Sequence, residues 1–289
     1  MAKAYVFYNA LAGDGNWKRR AEELREVVPE ELIFCDLTKE ETYESSLFRL
    51  AAKDTLILCG GDGTLNQFIN ITEGIQIPCE IFYYPTGNCN NFARDLGKKA
   101  GADPFNITAY LKELPAATIR SREYRFLNGI CCGPLGAYFQ ETCRRQREQT
   151  ERNSRCVRAM IRKLLFHSSP VSLQITVDGI LHSYQSVWLA MTMNGRFYGG
   201  MMPTPMQERS NPGKLLSVMV LHNADRLKVW HIFTSLFAGG HIRDKNVIEI
   251  LTGCDIRVEF DQMGTLGIDG NMIPDVDFYK ASFRSMASV

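Results

Sequence analysis

Three glycines, an aspartate and a threonine crowd into one stretch of the chain, Cys59-Gly60-Gly61-Asp62-Gly63-Thr64-Leu65-Asn66. Glycines at this density tolerate positive φ and let backbone N–H groups come close to an anion, because no Cβ stands in the way. The apolar run 55–59 ahead of them reads as a buried strand, and 65–71 behind them as a helix. The stretch therefore lies at the carboxyl end of a strand and at a helix N-terminus, where unpaired N–H groups and the helix dipole favour a phosphate. Gly60, Gly61, Gly63 and Thr64 are the candidate phosphate contacts, and Asn66 can add a neutral hydrogen bond. No lysine completes a P-loop, and Asn66 stands where the dinucleotide fingerprint needs its third glycine. Asp62 is the odd member. A carboxylate beside phosphates is repelled unless a divalent cation, typically Mg²⁺, lies between them, which makes Asp62 the candidate metal ligand. The competing reading is a tight strand-to-helix turn in which Asp62 only caps.

Elements must position that turn. Residues 4–8 form a short apolar run closed by Asn9 and Gly13-Asp14-Gly15, the pattern of a buried strand ending in a loop. Helices are predicted over 17–28 and 43–52, strands over 31–35, 55–59 and 80–84, and a further helix over 90–96. Strand and helix in alternation imply a parallel sheet covered on both faces, because parallel strands need a crossover between them. The strand over 80–84 ends at Pro85-Thr86-Gly87, a second loop at the same sheet edge. Near Arg120 the pattern changes to β-rich runs over 124–129, 171–177, 183–193, 215–221, 247–251 and 255–260, with Asp178-Gly179 as a hairpin signal. Helices are expected near 139–166 and over 226–237. The expectation is an α/β domain over 1–119, then a mostly antiparallel β domain over 120–275.

At 289 residues the chain can bury two cores without disulfides or metal. A formal net charge of +1 argues against a nucleic-acid partner. The nine cysteines show no C-x-x-C spacing, so reduced thiols in a cytoplasmic protein are expected. No run approaches the ~20 apolar residues needed to cross a bilayer. A basic run, Arg144, Arg145, Arg147, Arg152 and Arg155, continues to Arg158, Arg162 and Lys163. Such a segment can lie against anionic headgroups at the inner membrane face, or be a solvated helix face.

Gly-Gly-Asp-Gly-Thr-Leu-Asn-Gln over 60–67 resembles the signature of diacylglycerol kinases, sphingosine kinases and related bacterial lipid kinases. Its shorter core also resembles NAD kinases and phosphofructokinases. Residues 9–13 resemble the lipid kinases' first nucleotide loop, with Ala10 for the usual proline. Pro85-Thr86-Gly87-Asn88-Cys89-Asn90-Asn91-Phe92-Ala93-Arg94-Asp95-Leu96-Gly97 resembles their second block. Asn128-Gly129 with Gly133, Tyr198-Gly199-Gly200-Met201 and Ile268-Asp269-Gly270 resemble parts of their β domain.

The resemblance implies a nucleotide-binding α/β domain followed by a β-sandwich, with a tail over 276–289 returning to the first domain. It implies ATP and Mg²⁺ as cofactors, with Gly61, Gly63 and Thr64 around the phosphates and Asp62 placing the cation. Asn9, Thr38, Gly87 and Asn88 are further nucleotide candidates, Thr38 being equally readable as a loop cap. Asp269 is implied as the general base for a lipid hydroxyl such as that of diacylglycerol, a plain Asp-Gly turn being its alternative. The partner is then a lipid at a membrane surface, and a homodimer is allowed. The chain departs from the family pattern where Asn88, Asn91, Asn271 and Pro212 replace its usual residues, three of them carboxylates. A catalytically degenerate binding module, or a kinase of NAD or another soluble substrate, are the alternatives.

Overall fold

The computed structural model describes residues 2–10, 17–87, 89–99, 101–136, 168–204, 206–209, 212–237 and 246–283. These fall into two compact units, one ending at Glu113 and the other beginning at Leu114.

In the first unit, β1 (Lys3–Tyr8), β2 (Glu31–Asp36), β3 (Thr55–Gly60) and β4 (Glu80–Pro85) run parallel in the order β2-β1-β3-β4. The two-residue β5 (Phe105–Asn106) lies antiparallel beside β4. Strands β1 and β3 are buried through their middles on both faces, which explains their unbroken apolar runs. On one face Leu24 of α1 (Trp17–Val27) packs with Ala4, Val6, Ile57 and Tyr84. On the other, Phe68 of α3 (Asp62–Ile71) meets Phe7 edge to face at 6.0 Å. Helix α2 (Glu40–Arg49) follows β2, and the five-residue α4 (Asn91–Asp95) follows β4. Helix α3 starts three residues before the predicted 65, so Asp62 and Gly63 already belong to its first turn.

Among the described residues, the strands of the second unit form one antiparallel ten-stranded sheet. Its path runs β13 (Ile248–Gly253), β12 (Leu216–Leu221), β11 (Leu189–Met193), β8 (Gly129–Cys132), β14 (Asp255–Ile268), β15 (Asn271–Phe283), β6 (Pro115–Ile119) and β7 (Arg122–Arg125). β9 (Val171–Val177) adds to β14, and β10 (Ile180–Val187) to β9. Leu173, Ile175 and Val177 of β9 share one core with Leu216, Val218 and Val220 of β12, several strands away along the path. The sheet therefore folds over itself as a β-sandwich. A second core, on the outer side of β8, β11 and β12, takes Val229 and Ile232 from α5 (Arg226–Phe237).

The compact units divide at 113/114, a few residues before the boundary expected at 119/120, because β6 pairs with β15 through Thr118–Lys280 and its neighbours. Two expectations need correction. The tail expected to return from 276 instead continues β15 as far as Phe283, and 284–289 lie outside the described residues. The strand predicted over 124–129 is two strands, with Phe126, Leu127 and Asn128 between them. The helix expected near 139–166, with Arg144, Arg145, Arg147, Arg152 and Arg155, also lies outside the described residues. Among the described residues no helix is long and apolar enough to cross a membrane.

Candidate functional site

The carboxyl ends of β1, β2, β3 and β4 gather the sequence candidates of the first unit at one sheet edge. Register places Tyr8 opposite Asp36 and Cys59, and Gly60 opposite Pro85, so the loops after these strands are neighbours. Gly60 O accepts the N–H groups of Thr86 and Gly87 at 2.9 and 3.2 Å, and the Tyr83 hydroxyl donates to the same oxygen at 3.1 Å. Burial, and secondarily the nearby Asp62 charge, push the Tyr83 phenol well above its ordinary pKa, which keeps it a donor.

The glycines serve close approach rather than positive φ, which none of Gly60, Gly61, Gly63 and Gly87 adopts. A Cβ on Gly87 would meet Gly61 Cα at 2.4 Å, and one on Gly60 would meet Thr64 Oγ1 at 2.4 Å. The turn after β3 and the loop after β4 thus touch backbone to backbone. Asn90, buried in a left-handed conformation with φ of 45°, shapes the second loop by donating from Nδ2 to Gly87 O at 2.6 Å. Asn88 lies outside the described residues.

Asp62 is held by the start of α4. Its Oδ1 accepts the Phe92 N–H at 2.9 Å, while Oδ2 accepts the Asn91 N–H at 2.9 Å and the Asn91 side-chain amide at 3.1 Å. It is therefore a cap, but of a helix one loop away rather than of its own. A cation placed by Asp62 would share a carboxylate that already accepts these three bonds. Among the described residues no three His, Cys, Asp or Glu side chains gather where they could hold a metal ion. A dedicated all-protein Mg²⁺ cage is therefore absent among the described residues, whereas a cation carried by a substrate's phosphates would need only one or two carboxylates.

What the edge offers instead is the N-terminus of α3. Gly61 caps it with extended backbone, and its carbonyl accepts the N–H groups of Thr64 and Leu65 at 3.0 and 3.1 Å. The N–H of Gly63 is among the donors a helix leaves unpaired in its first turn. The Thr64 hydroxyl is buried and finds no hydrogen-bond partner. Gly60, Gly61, Asp62, Gly63 and Gly87 are all partly exposed, so the turn is open to solvent. A buried hydroxyl without a partner beside a helix N-terminus is the polar deficit that an anion would fill.

The other candidates have structural partners. Asn9 Nδ2 donates to Gln67 Oε1 at 2.7 Å, and Gln67 Nε2 donates to Leu37 O at 2.9 Å. Gln67, which the sequence offered only as the last letter of a motif, ties α3 to the loops after β1 and β2. Thr38 donates its hydroxyl to Asp36 Oδ1 at 2.8 Å, the loop cap allowed for it. Asn66 is buried within α3, its backbone carbonyl accepting from Asn70 Nδ2 at 2.8 Å.

Asp269 belongs to the second unit and is only 4% exposed. Its carboxylate takes the N–H groups of Leu127, Asn128 and Gly129, the last two at 2.9 and 3.0 Å. The segment it grips is fastened again by Asn194 Nδ2 on Leu127 O at 2.9 Å and by Arg209 Nη2 on Asn128 Oδ1 at 2.9 Å. Asp269 and Gly270, with φ of 45° and 99°, turn β14 into β15 as Asp178 and Gly179, with φ of 49° and 84°, turn β9 into β10. Asp178 likewise accepts backbone N–H groups from a neighbouring segment, those of Cys254 and Asp255 at 2.9 and 2.8 Å. In this geometry Asp269 anchors a hairpin.

Comparison with known proteins agrees with this architecture. Residues 3–119 match the diacylglycerol kinase catalytic domain, and residues 140–282 match the YegS C-terminal NAD kinase β-sandwich-like domain. A diacylglycerol kinase of Bacillus subtilis (strain 168) is 21% identical over 291 residues, covering 93% of this chain and 90% of that one. A diacylglycerol kinase of Mycobacterium tuberculosis (strain ATCC 25618 / H37Rv) is 24% identical over 197 residues, which span 65% of this chain and 62% of that relative's length. The crystal structure of a diacylglycerol kinase from Bacillus anthracis str. Sterne superposes with a TM-score of 0.61 at 19% identity, over 97% of this chain and 93% of that one. The chain belongs to the diacylglycerol kinase-like lipid kinase family.

Proposed function

We propose that this protein takes ATP as phosphate donor at the turn Gly60–Thr64 and transfers its terminal phosphoryl group to a lipid hydroxyl such as that of diacylglycerol. The observation that carries the reading is the partnerless, buried Thr64 hydroxyl at the open N-terminus of α3, flanked by glycines whose backbones touch. Phosphoryl transfer needs chiefly positioning and charge stabilisation, and helix-terminal N–H groups supply both to a polyphosphate. Family membership supports the lipid acceptor. The basic residues Arg144, Arg145, Arg147, Arg152 and Arg155 support an encounter at an anionic membrane surface, each adding about 1 kcal/mol near that surface. Reversing the charge of Arg144 and Arg145 should lower sedimentation with anionic liposomes.

A second reading is binding without transfer. It is favoured by Asp62 and Asp269 both being engaged with backbone N–H groups, and by amides at 91 and 271. One experiment separates the two: incubation with γ-labelled ATP and extracted lipid, alongside calorimetry with ATP. Labelled lipid supports the kinase; heat of binding with no labelled product on any lipid supports the binding module. Absence of both would refute the phosphate site itself.

A further inference from the structure

The bond between the Asn91 side chain and Asp62 goes beyond what capping α4 requires. Two backbone N–H groups already engage the two carboxylate oxygens; the Asn91 amide adds a third donor to Oδ2 at 3.1 Å. Asn91 is 6% exposed and Asp62 partly exposed, so this contact is shielded from water on the Asn91 side. A carboxylate at 91 would put a second negative oxygen at about that distance, where two carboxylates repel unless one takes up a proton or a cation lies between them. An amide needs neither, because its N–H points positive charge at the oxygen.

We propose that Asn91 is a positioning residue that makes the junction of the glycine turn and the second loop independent of a protein-bound divalent cation. Its amide fills the place beside Asp62 that an acid at the same position shares only by taking up a proton or through a metal. The backbone contact between Gly61 and Gly87 then forms, and the phosphate edge is ordered, in metal-free protein. The last clause rests on the phosphate reading; the junction itself does not.

Thermal unfolding of the intact chain in EDTA and in Mg²⁺ tests this for the native protein, Asn91→Asp and Asn91→Ala. The native melting temperature should be the same in both buffers. Asn91→Asp should melt about 5 °C lower in EDTA and regain most of that in Mg²⁺, while Asn91→Ala should fall by about 2–3 °C and ignore the metal. A native protein that loses several degrees in EDTA overturns the proposal, as does an Asn91→Asp protein that melts like the native one whatever the buffer. Should Asn91→Asp fail to fold, Asn91→Ala decides: a native-like melting temperature means that the amide contributes nothing, and the proposal falls. A parallel titration with trinitrophenyl-ATP should show native affinities in the two buffers within about threefold of each other, and Asn91→Asp at least tenfold weaker in EDTA than in Mg²⁺. If the probe binds the native protein in neither buffer, the phosphate reading falls, while the melting comparison still decides the junction.

Discussion

Asp62 and Asp269 lie in different units and meet the same local need. Each carboxylate collects the unpaired N–H groups of a distant segment, Asn91 and Phe92 in one case, Leu127, Asn128 and Gly129 in the other. They differ in what is left over. Around Asp269 the hairpin, Asn194 and Arg209 are bonded into a buried knot, in which Asn194 Oδ1 is left without a partner. Beside Asp62 the same device leaves glycines open to solvent next to a threonine hydroxyl without a partner. An acid in a signature motif is thus no proof of a free acid, and an unmet polar atom points to a binding edge only where solvent reaches the backbone beside it. Asp62 orders an edge that solvent reaches; Asp269 orders one that is buried.

The largest effect should come from breaking the buried knot. Asp269→Asn keeps the shape but leaves one acceptor oxygen for three N–H donors and turns an NH₂ toward the rest. Each buried donor left unpaired costs about 1–3 kcal/mol, so the second unit should lose about 3 kcal/mol or more. Chemical denaturation followed by tryptophan fluorescence would measure it, since Trp188 is buried in that unit. A variant of native stability that had lost all phosphoryl transfer would reverse this assignment and make Asp269 the base.

On the open side, Gly87→Ala drives a methyl into Gly61 Cα, which sits 2.4 Å from where it would be. Backbone on both sides cannot yield easily, so a loss of about 2 kcal/mol is expected, in the range of overpacked sites. Nucleotide binding should fall with it. Unchanged melting and unchanged ATP affinity would mean that the two loops are not in contact as described.

Thr64→Val sharpens the contrast, because it removes the hydroxyl and keeps the shape. An unpartnered buried hydroxyl is a liability in the ligand-free protein, so stability should be unchanged or slightly higher. ATP affinity, read by calorimetry, should drop about fivefold, the worth of one lost hydrogen bond. Equal affinity would detach the hydroxyl from the phosphate.

How far the sequence disclosed these two regions follows from where their partners lie along the chain. The parallel strands were legible because burial on both faces leaves unbroken apolar runs, as in Leu56, Ile57, Leu58 and Cys59. The glycine turn was legible from its density of small residues. The hold on Asp62 was not, because Asn91 and Phe92 come 29 and 30 residues later and only the folded sheet edge brings them near. Strand β15 was missed for a different reason. Pro274, Asp275 and Asp277 interrupt its alternation, and Asp275 takes a positive φ of 56°. The Asp269-Gly270 pair carried the same hairpin signal as Asp178-Gly179 and was allowed as a plain turn, but no clean alternation after it marked the strand that follows.

The smallest effect expected comes from a third anchored carboxylate, distant from both regions. Asp54 Oδ2 accepts the Ala51 N–H at 2.9 Å and Oδ1 the Lys3 N–H at 3.0 Å, which ties the start of β1 to the loop before β3. The bond from Ala51 is the chief cause that holds its pKa below the usual 3.8, with Lys3 and Lys53 assisting against burial. A depressed folded pKa means that the ionised acid stabilises the fold above pH 3.8, and that this contribution is lost as the pH falls through the lower folded value. Asp54→Asn should therefore cost the first unit about 1 kcal/mol near neutrality. The gap to the native protein should be constant down to the unfolded pKa and shrink below it. A gap that widens in acid would show that the stabilising form of Asp54 is the protonated one, and would break the likeness among the three anchored acids.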